Sequence, residues 1–176
     1  AVRRPGSPVT DPSGAAIRPA VPGDLEQIVE LNNEAVPAVS VADVERMGEL
    51  IALAAAAWVV DDGDGGLAGF VLLFEPGSVY DSANYRWFAE RFDSFLYVDR
   101  VVVAAGQRGG GLGATLYEAV AAEAGRRGSG RVLAEVNLEP PNPGSSRFHR
   151  RHGFEAIGEL RFSDDYVVEM LERPVP

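Results

Sequence analysis

The sequence predicts an α/β fold whose strands form one mixed, partly antiparallel sheet. Three observations favour this class: strand-like and helix-like segments alternate, two apolar strands meet at a glycine-rich turn, and the most apolar strand leads into the most amphipathic helix. A chain of 176 residues is long enough to enclose one core. We expect a single domain over residues 15–176, after an N-terminal tail over residues 1–14 that holds three prolines and two glycines.

The first half of the chain contains three predicted strands and two predicted helices. Asp24 and Gln27 have the spacing of a capping box, so we expect a helix to begin after Asp24. Residues 75–93 mix aromatic, acidic and small side chains without a period, which predicts a long loop with one helical turn. The expected order is a strand over 15–19, a helix after Asp24, a helix over 41–55, and strands over 58–61 and 67–74 joined by an acidic, glycine-rich hairpin turn.

The second half has the stronger patterns. Leu112, Leu116, Ala119 and Val120 lie on one side of an amphipathic helix. The expected order is a strand over 95–103, a helix over 112–126, a strand over 131–138, a helix over 144–152, and strands over 154–162 and 166–171.

The composition excludes several kinds of chemistry. Because there is no cysteine, the chain has no disulfide, thiolate nucleophile or cysteine-ligated metal. All sixteen basic residues are arginine, so the lysine of a phosphate-binding P-loop is absent. A net charge of −10 argues against nucleic acid as the main partner and favours a cationic ligand, although acidity also serves solubility. No apolar run would span a bilayer, so we expect no membrane association and a cytoplasmic location.

The turn between the strongest strand and the strongest helix is rich in glycine. Gln107-Arg108-Gly109-Gly110-Gly111-Leu112-Gly113-Ala114 follows the strand and opens the helix. The first amides of a helix have no partners within it, so glycines at 109, 111 and 113 would let a phosphate approach them. The segment therefore predicts an anion-binding site.

The same turn also fits two other interpretations, a dinucleotide-binding motif and a plain surface turn. It satisfies the dinucleotide fingerprint G-x-G-x-x-G/A, with Glu135 as a possible ribose acid. However, five residues separate Val103 from Gly109, and about sixty residues downstream are too few for the second half of such a fold. A plain surface turn leaves unexplained why the glycines stop where helical periodicity starts.

Arg108-x-x-Gly111-x-Gly113 matches the R/Q-x-x-G-x-G/A signature of the Gcn5-related N-acetyltransferases, and the chain resembles this family over residues 15–172. The family's second motif, an asparagine followed by a helix that ends in an aromatic pair and Gly-Phe, is similar to residues 142–154. Ile17-Arg18-Pro19-Ala20 with Asp24-Leu25 is similar to the family's first strand and helix. Residues 31–34 and 84–88 are similar to bacterial members of unassigned substrate.

The resemblance implies a mostly antiparallel sheet of six to seven strands with about four helices. It implies transfer of an acetyl group from acetyl-CoA directly to an amine, on a small molecule or a peptide, in a ternary complex without a metal. A strand amide near Val102 would polarise the thioester carbonyl. The resemblance places acetyl-CoA on Val101, Val102, Val103, Arg108, Gly109, Gly110, Gly111, Leu112, Gly113, Ala114, Asn142, Ser145 and Phe148.

Proton transfer has three candidate catalytic residues. His149 stands where the family usually has the tyrosine that protonates the departing thiolate; an imidazole can do the same, or can simply pack there or pair with a carboxylate. Asp99 is expected on the same strand face as Val101 and Val103, where burial would raise its pKa. Glu135 is the third candidate. Either carboxylate could deprotonate the ammonium, and so could a water.

The acceptor site is less defined by the sequence. Glu34 is a further candidate base, and Glu34, Tyr80, Tyr85 and Asn137 are the expected contacts of the acceptor; Asn137 shares a strand face with Glu135. The aromatic segment 80–92 either forms part of the pocket or is buried in a homodimer interface.

Two alternatives concern the kind of function. His149 and His152 lie three apart, as metal ligands can, but no carboxylate near them in the sequence would complete a site. A non-catalytic acyl-CoA-binding sensor would keep the glycine turn and Asn142 but would need no polar residues at the thioester. The presence of His149, Asp99 and Glu135 favours an enzyme.

Overall fold

The fold is built on one eight-stranded sheet with helices on both of its faces. The computed structural model describes residues 9–10 and 16–176. The strands are β1 Val9–Thr10, β2 Ala16–Pro19, β3 Ala56–Asp61, β4 Leu67–Phe74, β5 Leu96–Val103, β6 Arg131–Glu139, β7 Glu155–Ser163 and β8 Tyr166–Pro174. Their order in the sheet is β1-β2-β3-β4-β5-β6-β8-β7. Every neighbouring pair is antiparallel except β5 and β6, which are parallel.

Five α-helices connect or flank the strands: α1 Leu25–Glu34, α2 Val44–Leu53, α3 Ala83–Ala89, α4 Leu112–Arg127 and α5 Pro143–Arg151. The predicted mixed, mostly antiparallel sheet with helices is confirmed. The strand beyond the seven predicted ones is β1, whose two residues pair with β2. It falls inside the predicted N-terminal tail; residues 1–8 and 11–14 of that prediction lie outside the described residues.

The prediction of a long loop with one helical turn over residues 75–93 is only partly right, because the seven-residue helix α3 forms within it. The Ser82 hydroxyl caps this helix by accepting from the Tyr85 amide at 3.3 Å. Tyr85 and Phe88, three residues apart, bury their rings against the sheet. Tyr80, Tyr85 and Phe88 are thus packed inside the chain and do not form the exposed aromatic surface on which a dimer interface was predicted.

The predicted capping box at the start of α1 is also wrong. The Asp24 carboxylate turns back to the Val21 amide at 2.8 Å and accepts two bonds from Arg18, at 2.8 and 2.9 Å. Arg18 also donates to Asp61 on β3, so this ion-pair group ties the start of α1 to the sheet. The expectation failed because Arg18 competes for the same carboxylate.

The core lies on both faces of the sheet. Helix α4 packs on one face through Leu116 and Val120, while α1, α2 and α3 cover the other through Ile28, Met47 and Phe88. Because helices cover both faces at its centre, every residue of β4 is buried. The central strands β4, β5 and β6 are thereby held rigidly.

The two parallel strands β5 and β6 separate after a short stretch of pairing. Their register contains only Leu96 with Val132 and Tyr97 with Leu133. Beyond these residues β5 stays paired with β4, and β6 stays paired with β8. The carboxyl-terminal halves of the two strands therefore leave an opening at the middle of the sheet.

A β-bulge in β5 sets the direction of Asp99. Arg100 pairs with Leu72 and Val98 pairs with Leu73, so Asp99 is an extra residue between two consecutive partners. Its carboxylate lies with the Tyr97 hydroxyl on the α1–α3 side of the sheet. The expectation that alternation places Asp99 with Val101 and Val103 is wrong, because those valines pack on the α4 side.

Two glycine substitutions should change stability in opposite directions. In Gly69→Ala the new methyl group would lie 2.6 Å from the Val102 carbonyl oxygen, so we expect a loss of about 1–3 kcal/mol in the free energy of unfolding. In Gly48→Ala, within α2, the nearest atom is a Leu25 methyl at 3.9 Å, so we expect a gain of up to about 1 kcal/mol. Urea denaturation measures both, and equal effects would contradict the tight β4–β5 pairing.

Candidate active site

The opening between β5 and β6 contains a cavity of about 170 Å³. Its walls come from the diverging strands, residues 35–40 after α1, the start of α5, Tyr117 of α4 and Tyr166 of β8. The sequence-predicted residues that line it are Tyr80, Asp99, Val101, Glu135, Asn137, Asn142, Ser145 and His149. Catalytic, substrate and cofactor candidates from β5, β6, α5 and the segment before α3 thus meet at one place.

Both candidate carboxylates lie at the bottom of the cavity, around the Tyr97 hydroxyl. This hydroxyl is 3.0 Å from Glu135 Oε1 and 3.3 Å from Asp99 Oδ1. Tyr80 donates its hydroxyl hydrogen to Asp99 Oδ1 at 2.9 Å, and Arg100 Nε donates to Oδ2 at 3.2 Å. Both oxygens of Asp99 therefore have partners.

Glu135 keeps one oxygen free. Its Oε1 accepts from Asn84 Nδ2 at 2.9 Å, whereas its Oε2 is buried without a hydrogen-bond partner. The Asn84 carbonyl oxygen, Oδ1, is also buried without a partner. Among the described residues, these two acceptor atoms thus have no donor, in side chains that line the cavity, and a buried acceptor without a donor costs free energy. The cavity is suited to a ligand that brings N–H donors.

Burial controls the ionisation of this pair. Removal from water raises the pKa of Glu135 to about 8, and the negative charge of Asp99 adds to the effect, while the bonds from Tyr97 and Asn84 oppose it. Burial also raises the pKa of Asp99, opposed by the positive charge of Arg100. Glu135 is consequently poised to exchange a proton close to neutral pH.

His149 is buried and its protons are fixed by two neighbours. Nδ1 lies 2.8 Å from the Ser145 carbonyl oxygen, which can only accept, so Nδ1 carries the hydrogen. Burial lowers the pKa of His149, which leaves Nε2 unprotonated; it accepts from the Tyr117 hydroxyl at 2.6 Å. In this arrangement the expected donor, His149, has no proton to give from Nε2. The hydroxyl of Tyr117 is therefore the hydrogen-bond donor of this pair, at this end of the cavity.

The glycine turn forms an open cradle at the start of α4. Gly109 and Gly111 have φ angles of 83° and 90°, and a Cβ on either would meet no atom within 4 Å. The first bond of this helix runs from the Thr115 amide to the Gly111 carbonyl, so the amides of residues 112–114 point out of the helix end. The space in front of them is open and favours an anion.

The backbone of β5 faces the same opening. The Ala104 amide donates to Ala68 on β4, and Val102 directs its carbonyl at Gly69 on β4. Because backbone groups alternate along a strand, Val101 and Val103 direct theirs into the opening. The polarising amide expected near Val102 is therefore that of Val101 or Val103.

Helix α5 supports the cradle from the side. The Asn142 side chain caps the helix by accepting from the Ser145 amide at 3.2 Å. The Phe148 ring packs so closely on Gly113 that a Cβ there would lie 3.2 Å from it. Arg108 is exposed and donates to the Val103 carbonyl at 3.2 Å, at the rim of the opening.

Two predicted substrate residues lie away from the cavity. Glu34 is exposed at the end of α1 and does not line it. Tyr85 is buried beneath it, where its hydroxyl donates to the Glu75 carbonyl and accepts from the Ser78 amide. Asn84, Tyr97 and Tyr117 were not predicted as site residues. The position of Tyr117, a polar aromatic residue next to the apolar stripe of α4, could have indicated a role in the site. Its partner His149, however, is distant in sequence.

The structure places a helix end with open amides beside a carboxyl group whose pKa is raised, an arrangement that suits transfer of a group from a phosphate-containing carrier. The model of the Acetyltransferase (GNAT) family matches residues 25–154. The chain belongs to this family and is an acyltransferase that uses acetyl-CoA. No curated protein gives a significant match. Membership supports an enzyme and not the non-catalytic sensor.

Solved structures share the fold. Ribosomal-protein-alanine N-acetyltransferase from Brucella melitensis is 22% identical, with a TM-score of 0.68, over 90% of this chain and 99% of that one. The protein yncA from Salmonella typhimurium, solved with acetyl-CoA, is 22% identical, with a TM-score of 0.67, over 92% and 94%. Arabidopsis thaliana NAA60, solved with a bisubstrate analogue, is 18% identical, with a TM-score of 0.72, over 92% and 98%.

Residues 9–10 and 16–176 contain neither a cluster of metal-ligating side chains nor a membrane-spanning helix. Among them, no three His, Asp or Glu side chains are grouped as metal ligands would be. None of the helices formed by these residues has the length and hydropathy needed to cross a membrane.

The stability of the Glu135→Gln variant should depend on pH differently from that of the parent protein. The carboxyl titrates near 4.5 when unfolded and near 8 when folded, so its contribution to stability falls as pH rises between these values. We expect Tm of the variant, relative to the parent, to rise from pH 5 to pH 8.5, at about 2–4 °C per kcal/mol. The exposed Glu30→Gln serves as control. A difference independent of pH in calorimetric scans would contradict the raised pKa.

Proposed function

We propose that this protein transfers the acetyl group of acetyl-CoA directly to a primary amine, of a small molecule or a peptide, with Glu135 as the general base. The observation that carries the proposal is the pair of unsatisfied acceptors, Glu135 Oε2 and Asn84 Oδ1. An ammonium group supplies the N–H donors that both oxygens lack, and its charge suits a carboxylate. Structural neighbours named as N-acetyltransferases are in keeping with an amine acceptor.

The glycine cradle and β5 would hold acetyl-CoA. The open amides at the start of α4 suit its pyrophosphate, since glycine at 109 and 111 leaves the space in front of them free. The backbone groups of Val101 and Val103 suit the pantetheine arm and the thioester oxygen, where negative charge develops during transfer. Binding remote from the reacting atoms would then position the acetyl group.

The proposed transfer has no covalent enzyme intermediate. Glu135 Oε2 accepts a proton from the ammonium, and the freed lone pair forms a bond to the acetyl carbon. The carbon–sulfur bond then breaks, and the second proton of the nitrogen ends on the sulfur. The products are the N-acetyl amine and CoA thiol, and Glu135 later releases its proton to solvent.

The hydroxyl of Tyr117 is proposed as the donor to sulfur, replaced by the proton that leaves nitrogen. His149 is a positioning residue in this scheme. Its Nε2 accepts the hydrogen of Tyr117, so the hydroxyl must turn from this nitrogen to the sulfur as the thiolate departs. Burial raises the pKa of Tyr117, so its proton leaves only as the proton from nitrogen replaces it. The demand on the donor is small, since a thiol with a pKa of about 8.5 leaves readily.

Asp99 is a weaker candidate for the base. Both of its oxygens already accept hydrogen bonds, from Tyr80 and from Arg100. Its negative charge instead contributes to the raised pKa of Glu135. We propose that Asp99 tunes the base and does not itself accept the proton.

Acetyl-CoA affinity tests the cradle. Gly111→Asp would add a negative charge in front of the helix amides, so we expect calorimetric titration to show at least about a hundredfold weaker binding of acetyl-CoA, equal to about 2.7 kcal/mol. Gly128→Asp is the matched control, because Gly128 ends α4 with a φ of 70° and also faces open space. Equal affinities of the two variants would place the cofactor elsewhere.

The pH dependence of kcat/KM tests the assignment of the base. We expect Glu135→Gln to lower kcat by about 10²–10⁴-fold and to remove the rise of activity near pH 8, with acetyl-CoA affinity unchanged. Asp99→Asn removes a like charge, so the rise should move to lower pH.

Tyr117→Phe separates the two proton transfers. It should lower kcat without moving the midpoint that Glu135 sets. If Asp99→Asn abolishes the pH dependence while Glu135→Gln keeps it, the roles of the two carboxylates are reversed.

A further inference from the structure

A second, more open chamber of about 280 Å³ lies next to the cavity, on its outer side. Both chambers are lined by Tyr80, Asn84, Arg100 and Tyr166, so they adjoin one another at these side chains. The outer chamber is the approach that an acceptor bound at Glu135 would occupy with the rest of its structure.

Exposed apolar side chains line the outer chamber. Val41 is 71% exposed, Phe162 44% and Tyr166 37%, and all three border this one space. Phe162 and Tyr166 stack across the β7–β8 hairpin with ring centroids 4.6 Å apart. Exposed apolar groups gathered at the mouth of a cavity are typical of a site that buries an apolar part of a ligand.

The charges of the two chambers are unfavourable for a carboxylate. Among the described residues, the cationic side chains that line them are Arg100 and Arg46. Arg100 is bonded to Asp99, and Arg46 to Asp81 at 2.8 Å. When Glu135 is ionised, the inner group of Asp99, Glu135 and Arg100 has a net charge of −1. That group attracts an ammonium and repels an acid attached close to it.

We propose that the acceptor is a primary amine with an uncharged apolar or aromatic substituent, and without a carboxylate on the carbon next to its nitrogen. This inference rests on the proposed function. The ammonium would donate to Glu135 Oε2 and Asn84 Oδ1, while its substituent lies against Val41, Phe162 and Tyr166. Free amino acids are then poor acceptors, because their carboxylate would lie beside the inner carboxylates.

Three matched amines test the proposal by release of CoA thiol from the intact protein. 2-Phenylethylamine has the ring alone, phenylalanine adds a carboxylate, and phenylalanine amide adds a neutral group of similar size. We expect kcat/KM for phenylethylamine and for the amide to exceed that for phenylalanine by at least about tenfold, because like charges at close range cost several kcal/mol. If kcat/KM for phenylalanine equals that for its amide, the proposal is overturned.

Two further outcomes are decisive. A dipeptide amide preferred over phenylethylamine would assign the outer chamber to a peptide backbone and would overturn the proposal, while leaving the amine acetyltransferase in place. Acetyl-CoA binding without acetylation of any of these amines would overturn this inference alone, whereas a failure to bind acetyl-CoA would contradict the proposed function.

A variant tests the role of the apolar wall. Phe162→Ser should lower the preference for phenylethylamine over ethylamine, measured as a ratio of kcat/KM values, by about tenfold. Val21→Ser is the control, since Val21 is exposed and apolar but borders neither chamber. An unchanged ratio in Phe162→Ser would remove the apolar substituent from the proposal.

Discussion

The early separation of β5 from β6 is the constraint on which the rest of this structure depends. Two parallel strands at the centre of a sheet normally satisfy each other's backbone groups along their length. Here pairing stops after Tyr97 and Leu133. Helices cover both faces of the sheet on either side of the opening. The resulting cavity is lined by the diverging halves of β5 and β6 and by residues of α4, α5 and segment 35–40.

The separation explains the chemistry of the site. Glu135 lies just past the last paired residue of β6, so it is desolvated without a sheet partner across the gap. The bulge at Asp99 brings a second carboxylate to the same side, and Tyr97 lies between the two. Arg100 compensates the negative charge of Asp99. The other carboxyl group, that of Glu135, keeps a pKa of about 8. A buried proton acceptor and an open acyl carrier site can then share one opening.

Local patterns were enough to predict most of the fold. The apolar run of β5, the glycines of the turn and the stripe of α4 are each encoded by neighbouring residues, and their bounds agree closely with the structure. Helix α3 was predicted only as one helical turn within a loop, because seven residues give too short a pattern. The bulge could not be predicted, since register is a property of two strands and is invisible in one.

The sequence predicted which residues form the site better than it predicted the role of each residue. Asp99, Glu135 and His149 were identified as a group, but the sequence could not say which oxygen or nitrogen is left free. That depends on contacts distant in sequence, such as Asn84 with Glu135 and Tyr117 with His149. Glu34 was selected for its type alone. The next residue, Ala35, lines the cavity, but Glu34 itself is exposed and does not.

The ionisation of Glu135 can be measured directly, and it tests whether this residue can act as the base. The chemical shift of its side-chain carboxyl carbon, followed by NMR in protein labelled with ¹³C at glutamate and assigned with Glu135→Gln, reports that ionisation alone. We expect the chemical shift to change with a midpoint near pH 8, well above the ordinary glutamate pKa of 4.5. A midpoint between 4 and 5, at about the value of an unperturbed glutamate, would show that the carboxylate is solvated and would contradict its role as the base.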